Sequence, residues 1–353
     1  TIVMASRIFL LMLCCPPMCS LLLNQQHNHR LPAVRMQGPP PGATAAGPPP
    51  GVATGRGSGG GPGDGGGPPG GPPPRTPVQK VLDSLFEISF RLAYAFEPEG
   101  LLDSSKNLRV LWVRALLNSA GQLQDDVALQ LLPRASRWIV SPPYTPIWGP
   151  AMEKLQWIRQ RTEFIDGVLE GFLAAAPAGE PVQCVLIGAG YDTRALRFRR
   201  KDLQFFEVDL PSVLPIKRAM STRYLEEQAA PTAGPRPAEL GADLNEAAGQ
   251  VLSRLEPLGF DRSKPTLVVC EAVLFYLSPP AKQKLLAEWA ALLSEAPAPT
   301  AVVLADNLAP LLRSPQRADA DAFFGGVGLR LLQHDTLWGG AIQFVHAVAD
   351  EAQ

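Results

Sequence analysis

Six residues, Val182 to Ile187 (VQCVLI), run directly into Gly188-Ala189-Gly190, and this junction constrains the chain more than any other. An apolar run of that length bounded by glycines reads as a buried strand ending in a tight turn. A polar cluster, Tyr191-Asp192-Thr193-Arg194, follows and leads into a helix or turn. Glycine has no Cβ, so it permits unusual backbone angles and lets the main chain approach a ligand closely.

Three ligands suit such a turn. A nucleoside triphosphate requires a lysine after the glycines, in the pattern GxxxxGK[ST], and none stands at that spacing. A dinucleotide requires GxGxxG, and Thr193 occupies the third glycine position. S-adenosylmethionine (SAM) carries no phosphate. It needs a glycine turn for its amino-acid end and an acid at the end of the next strand for its ribose. The next strand, Leu203 to Asp209 (LQFFEVD), delivers Glu207 and Asp209. Glycine turns also merely join strands to helices, so the second strand carries much of the argument.

The 353 residues suffice for one large domain or two small ones, and the net charge of −1 gives no reason to expect nucleic acid or an anionic membrane as an obligatory partner. The chain divides by composition. Residues 1–37 read as a targeting leader. Ile8 to Cys15 suits the core of a secretory signal, whereas arginines at 7, 30 and 35 without acids suit an organellar transit peptide; a vestigial N-terminus is the third reading. Location is therefore open: organellar or secretory with a genuine leader, cytoplasmic without one. Membrane association is not expected once a leader is removed. Residues 38–75 are dominated by Gly and Pro and read as a disordered linker. Residues 76–353 hold the folding unit. Cys184 and Cys270 lie in apolar runs as small buried hydrophobes, and no His/Cys spacing supports a metal.

Within that unit, helices are expected at Val78–Ala95, Val110–Leu117, Val127–Leu132, Glu153–Leu173, Val213–Tyr224 and Pro279–Leu293. The proline-rich Ser141–Pro150 is expected to be loop, and Leu240–Asn245 a short polar turn. Strands are expected at Val182–Ile187, Leu203–Asp209, Thr266–Glu271 and Ala301–Asp306. The alternation predicts an α/β fold: a doubly wound, mostly parallel, Rossmann-like sheet with an N-terminal helical cap. Acids recur at strand ends: Glu207, Asp209, Glu271 and Asp306, with Asp243 near a turn. In an open α/β sheet ligands bind at that end, although any single acid can instead cap a helix. Arg161, on the helix before the first strand, is either solvated or reaches a carboxylate.

Taken together, Arg161–Asp166 (RTEFID), Leu186–Ala195 (LIGAGYDTRA), Phe206–Asp209 (FEVD), Gly241–Leu244 (GADL) and Cys270–Leu277 (CEAVLFYL) resemble the leucine carboxyl methyltransferase family of class I SAM-dependent methyltransferases. The resemblance covers roughly Val110 to Gly340. It implies that Arg161 binds the SAM carboxylate, that Gly188 and Gly190 lie under the methionine moiety with Asp192 nearby, and that Asp209 holds the ribose. It further implies that Asp243 and Leu244 contact the adenine, that Glu271 faces the SAM amino group, and that Tyr276 lies near methyl transfer. The family ends its sheet with an antiparallel strand pair. Here the sequence stops soon after Leu337–Phe344 (LWGGAIQF), so that pair is expected to be incomplete or rearranged.

The implied function is SAM-dependent O-methylation of a carboxylate. A carboxylate is ionised at pH 7 and needs neither metal nor catalytic triad. Within the family the acceptor is the C-terminal leucine of the protein phosphatase 2A catalytic subunit, a carboxyl group on the wybutosine base of tRNA, or an unassigned small-molecule acid. The GAGYDTRALRF string looks closer to the last group than to the phosphatase enzyme. Two readings of other classes stand beside this one: a degenerate, non-catalytic scaffold and a dinucleotide-dependent oxidoreductase.

Overall fold

The structure, a computed structural model, describes residues 105–132, 134–143, 145–176, 179–228 and 234–350. The leader, the linker and the helix read at Val78–Ala95 lie outside the described residues. In chain order the elements are α1 (Ser105–Ser119), α2 (Asp126–Leu131), α3 (Arg134–Val140), α4 (Gly149–Ala175), β1 (Val182–Ile187), α5 (Arg194–Arg197), β2 (Leu203–Asp209), α6 (Leu214–Glu227), β3 (Ala238–Gly241), α7 (Leu244–Ala247), α8 (Val251–Leu255), β4 (Thr266–Glu271), α9 (Pro279–Glu295), β5 (Thr300–Asp306), α10 (Arg317–Gly325), β6 (Leu329–Leu337) and β7 (Ile342–Ala349).

Seven strands form one sheet in the order β3-β2-β1-β4-β5-β7-β6. The first five are mutually parallel, and β7 runs antiparallel to both β5 and β6. This is the α/β, doubly wound, mostly parallel sheet expected from the alternation. Every residue of β1 is buried, because the sheet is covered on both faces. Val185, Ile187, Phe206 and Val268 face a core shared with Leu285 and Trp289 of α9. Cys184, Leu186, Leu267 and Val303 face the other side, against Ile165 and Leu169 of α4. Successive strand residues point to opposite faces, so each strand has to be apolar throughout.

Three expectations are corrected. The antiparallel pair is formed rather than incomplete or rearranged: Leu329 to Leu337 pairs with Ile342 to Ala349, with an irregularity between Leu331 and Gln333. The mixed polar pattern of β6 conceals an edge strand, which needs only one partner and one buried face. The segment expected to be loop to Pro150 contains a 3-10 turn at Thr145–Trp148, and α4 already begins at Gly149. Pro150 falls in the first helical turn, where its missing N–H costs no bond. Finally, Leu240-Gly241 belongs to strand β3, because Leu240 pairs with Val208 and Gly241 with Asp209.

Helices α1 and α2 pack with the start of α4 into a separate cluster around Leu111, Leu116, Leu131 and Ile158. Tyr191, Leu196, Val213 and Met220 belong to that cluster, so the cap rests on the segment after the glycine turn.

Candidate functional site

The carboxyl ends of the parallel strands place Gly188, Asp209, Gly241, Glu271 and Asp306 along one edge of the sheet. The β6–β7 turn lies at the same edge, since Gln343 pairs with Asp306 and Phe344 with Ala305.

The glycine turn is fixed from three sides. Gly188 has φ +65° and Gly190 φ +42°, both in the left-handed region. A Cβ on Gly188 would fall 2.4 Å from Cγ2 of Val273, so the loop after β4 occupies that space. Asp209 accepts from the Gly190 N–H through Oδ2 at 2.6 Å and from the Leu210 N–H through Oδ1 at 2.6 Å. Lys217 donates to the Ala189 carbonyl at 3.2 Å and pairs with buried Glu207 at 2.9 Å. Glu207 thus supports the turn through Lys217. Burial pushes its carboxyl above the ordinary value, opposed by Lys217. Burial likewise raises Asp209, opposed by the two backbone N–H groups.

Arg194, fully buried at the start of α5, is the centre of the charged cluster. Its Nε pairs with Asp166 at 2.6 Å, and one terminal nitrogen pairs with both Asp192 and Glu271 at 2.5 Å. The other terminal nitrogen donates to the Thr162 carbonyl at 3.4 Å. Glu271 is held from its other side by Nε of Arg161 at 2.6 Å. Asp192 therefore serves Arg194 with one oxygen and the Arg194 N–H with the other, at 2.7 Å.

The cluster continues into the cap. Arg197 bridges Asp166 (2.7 Å) and Asp125 (3.4 Å), and Arg114 pairs with Asp125 at 2.8 Å. Thr193 accepts from Arg114 and Arg197 and donates to Asp125. Four arginines (114, 161, 194, 197) thus face four carboxylates (125, 166, 192, 271). Such balance lets charges remain buried that would be untenable singly. Thr193, which breaks the dinucleotide pattern, is this junction residue.

Burial alone would raise the carboxyls of Glu271, Asp192 and Asp166. Arg194, the leading opposing charge for all three, holds each below its ordinary value. Groups depressed by folding contribute stability that is fully present above their unfolded values, near pH 4, and is lost as pH falls through the lower folded values. Thermal melts should therefore fall below about pH 4. Asp192→Asn should make that acid limb shallower; an unchanged limb would show that Asp192 is not ionised in the fold.

The remaining expected residues occupy varied positions. Asp243 caps α7 by accepting from the Asn245 N–H at 2.8 Å, and Leu244 turns its side chain into the core. Asp306 is a capping acid: its carboxylate accepts from the N–H groups of Val273, Leu274, Phe275 and Asn307. Ala272, between Glu271 and that capped turn, has φ +55°, a strained value for a residue with a Cβ. Tyr276 is 43% exposed, and burial pushes its phenol up to about 12 against the opposing charge of Arg161. Arg194 and Asp166 stand within the LIGAGYDTRA and RTEFID segments, where nothing local marks either as buried.

Among the described residues, no group of three or more His, Cys, Asp or Glu could hold a metal ion, and no helix is long and apolar enough to cross a membrane.

The family model described as leucine carboxyl methyltransferase matches residues 107–290. A protein of Mycolicibacterium vanbaalenii, named "Putative S-adenosyl-L-methionine-dependent methyltransferase", is 33% identical over 174 residues, covering 48% of this chain and 54% of its own. A protein of Mycobacterium ulcerans with the same name is 34% identical over 171 residues, covering 47% and 51%. The chain spans about half the length of the curated relatives it matches. Among solved structures, magnesium protoporphyrin IX methyltransferase of Synechocystis with bound SAM aligns with TM-score 0.35 at 15% identity, covering 54% of this chain and 80% of that one.

Proposed function

Because the chain belongs to the leucine carboxyl methyltransferase family, we propose that it binds SAM along the edge from β3 to β4 and methylates a carboxylate. The observation that carries this is the clamp of Asp209 on the glycine turn. Its carboxylate oxygens each accept one backbone N–H and retain lone pairs for two hydroxyls of a ribose. Gly190 carries no side chain at the turn, while the missing side chain of Gly188 makes room for Val273 of the loop after β4.

The other residues follow in order along the edge. Asp243 and the main chain at Leu244 lie beside β3, where the adenine is assigned. Glu271 is assigned the SAM amino group, and the terminal nitrogens of Arg161 the SAM carboxylate. The balanced charge cluster suits a zwitterion, which adds one charge of each sign. Asp192 acts through Arg194, which keeps Glu271 ionised.

Bound SAM supplies a methyl group activated by its sulfonium: a carboxylate oxygen forms the new C–O bond as the C–S electron pair stays on sulfur. No proton leaves the acceptor, so no general base is needed. Tyr276 suits this, since a phenol pushed up to about 12 stays protonated at neutral pH, so it can donate to a carboxylate but cannot act as a base. It would orient the acceptor rather than deprotonate it. A protein C-terminus and a small-molecule acid are both acceptors of this chemistry.

The test is calorimetric titration of the full chain with SAM, beside Asp209→Ala. Losing the hydrogen bonds to a charged acceptor should weaken binding by about 1.5–3 kcal/mol, roughly 10- to 150-fold. A folded wild-type chain that does not bind SAM would sink this reading, and SAM binding without methyl transfer to any carboxylate would favour the scaffold.

A further inference from the structure

The carboxyl edge changes character at Glu271. On the β3 side its groups are polar: Asp243, Asp209 and the glycine turn. On the β5–β7 side it is aromatic. Tyr276 follows β4 and is 43% exposed, with its ring 3.8 Å from that of Phe275. Trp338, 38% exposed, stands in the β6–β7 turn, and its ring lies 5.6 Å from that of Trp157 on α4. The Arg161 guanidinium sits over the Trp157 ring at 4.7 Å, one helical turn along. The aromatic group therefore begins where the charged cluster ends.

The turn that presents Trp338 is built firmly. Trp338 has φ +51°, a value that costs a residue with a bulky side chain and persists only where its surroundings impose it. Gly339 and Gly340 follow at φ +63° and +84°. A Cβ on Gly340 would fall 2.3 Å from the Ser314 carbonyl carbon, so the turn is packed against that loop. Fully buried Gln343 donates to the carbonyls of Ser314 (2.9 Å) and Gly340 (2.8 Å), and His334 bonds its side-chain oxygen at 2.8 Å. A strained, braced turn holding a half-exposed indole is more than the joining of two strands requires. Trp157 adds a buried indole N–H without a hydrogen-bond partner, an unused donor in the same group.

Building on the methyltransferase reading, we propose that Trp157, Trp338 and Tyr276 form the subsite for the body of the acceptor. Its occupant is a small carboxylic acid whose non-reacting part is a flat, apolar ring system. Indole and phenol rings favour offset or edge-on contact with another ring over contact with a flexible alkyl chain. They are also rigid, so little side-chain freedom is lost on binding. With adenosine on the polar half of the edge, the acceptor carboxylate approaches from the aromatic half, beside Glu271 and Tyr276.

The experiment is calorimetric titration of the full chain with 2-naphthylacetate, with dodecanoate as an alkyl acid of equal carbon number, and with a short peptide ending in free leucine. Each is repeated on Trp338→Ala and on Trp338→Leu, which keeps an apolar contact to Trp157 but no ring. The expected result is tighter binding of naphthylacetate than of either control, weakened roughly tenfold in both variants. Dodecanoate and SAM affinities should be unchanged. Naphthylacetate binding no tighter than dodecanoate, preference for the peptide, or equal losses for aryl and alkyl acids would overturn the proposal. Equal losses would mean that Trp338 only ties the turn to α4. Because aryl-acid binding is read without turnover, failure of SAM binding in the same wild-type sample would count against the methyltransferase reading alone.

Discussion

Arg194→Met will lower folding stability by about 3–5 kcal/mol, the usual cost of removing one partner from a buried ion pair. Burying a methionine is not the penalty. The penalty lies in Asp166, Asp192 and Glu271, whose carboxylates all lean on this one guanidinium. With it gone, at least one must take up a proton or draw in water. Arg194→Lys keeps the charge but cannot reach three carboxylates and the Thr162 carbonyl with a planar fork, so its loss should be smaller yet clear. Denaturant midpoints at neutral pH read both. A change below about 1 kcal/mol in Arg194→Met would mean that the cluster does not hold the site together.

Gly188→Ala will cost about 2–5 kcal/mol, the sum of two separable effects. The left-handed φ contributes roughly 1–2 kcal/mol for a residue with a Cβ. The contact with Val273, 2.4 Å from the would-be Cβ, adds roughly 1–3 kcal/mol of overpacking. A double-mutant cycle separates them. Combined with Val273→Gly, the steric part should be recovered and the backbone part retained. Strict additivity would show that the turn moves away from β4 when crowded, and SAM affinity would then fall in Gly188→Ala even in a well-folded sample.

The parallel strands were legible because burial on both faces leaves an uninterrupted apolar signature. Val182–Ile187, Leu203–Asp209 and Thr266–Glu271 carry it, and their bounds agree with the structure. Strand β6 was not legible: Arg330, Gln333 and Asp335 interrupt it, and an edge strand with one open side tolerates them. The strand-end acids were legible as a set but not in their division of labour. Asp209 and Asp306 look alike in sequence, each ending an apolar strand. One closes on the glycine turn, and the other is consumed by three backbone amides of the turn after β4 and by that of Asn307. That difference depends on where a distant loop passes. Arg194 was hidden for a related reason: nothing local distinguishes a buried arginine from a solvated one. Its burial follows from three acids brought together from α4, the segment after β1, and the end of β4.

The strand order also bears on how this chain reaches its folded state. Strands β6 and β7 are neighbours in sequence and can pair within microseconds, as hairpins do. The central pairing is of another kind, since Gln183 must find Thr266 across the intervening β2 and β3 units. Parallel, non-local pairing of that sort sets a slow pace, and until it forms the β4 run Leu267–Cys270 has no covered face. The turn that carries Trp338 can thus be assembled early, while the ligand edge, which needs β1 beside β4, is assembled late. A ligand held between those two strands would act chiefly by slowing their separation. Kinetic resistance to unfolding, more than the rate of folding, is the property that occupancy of this edge should change.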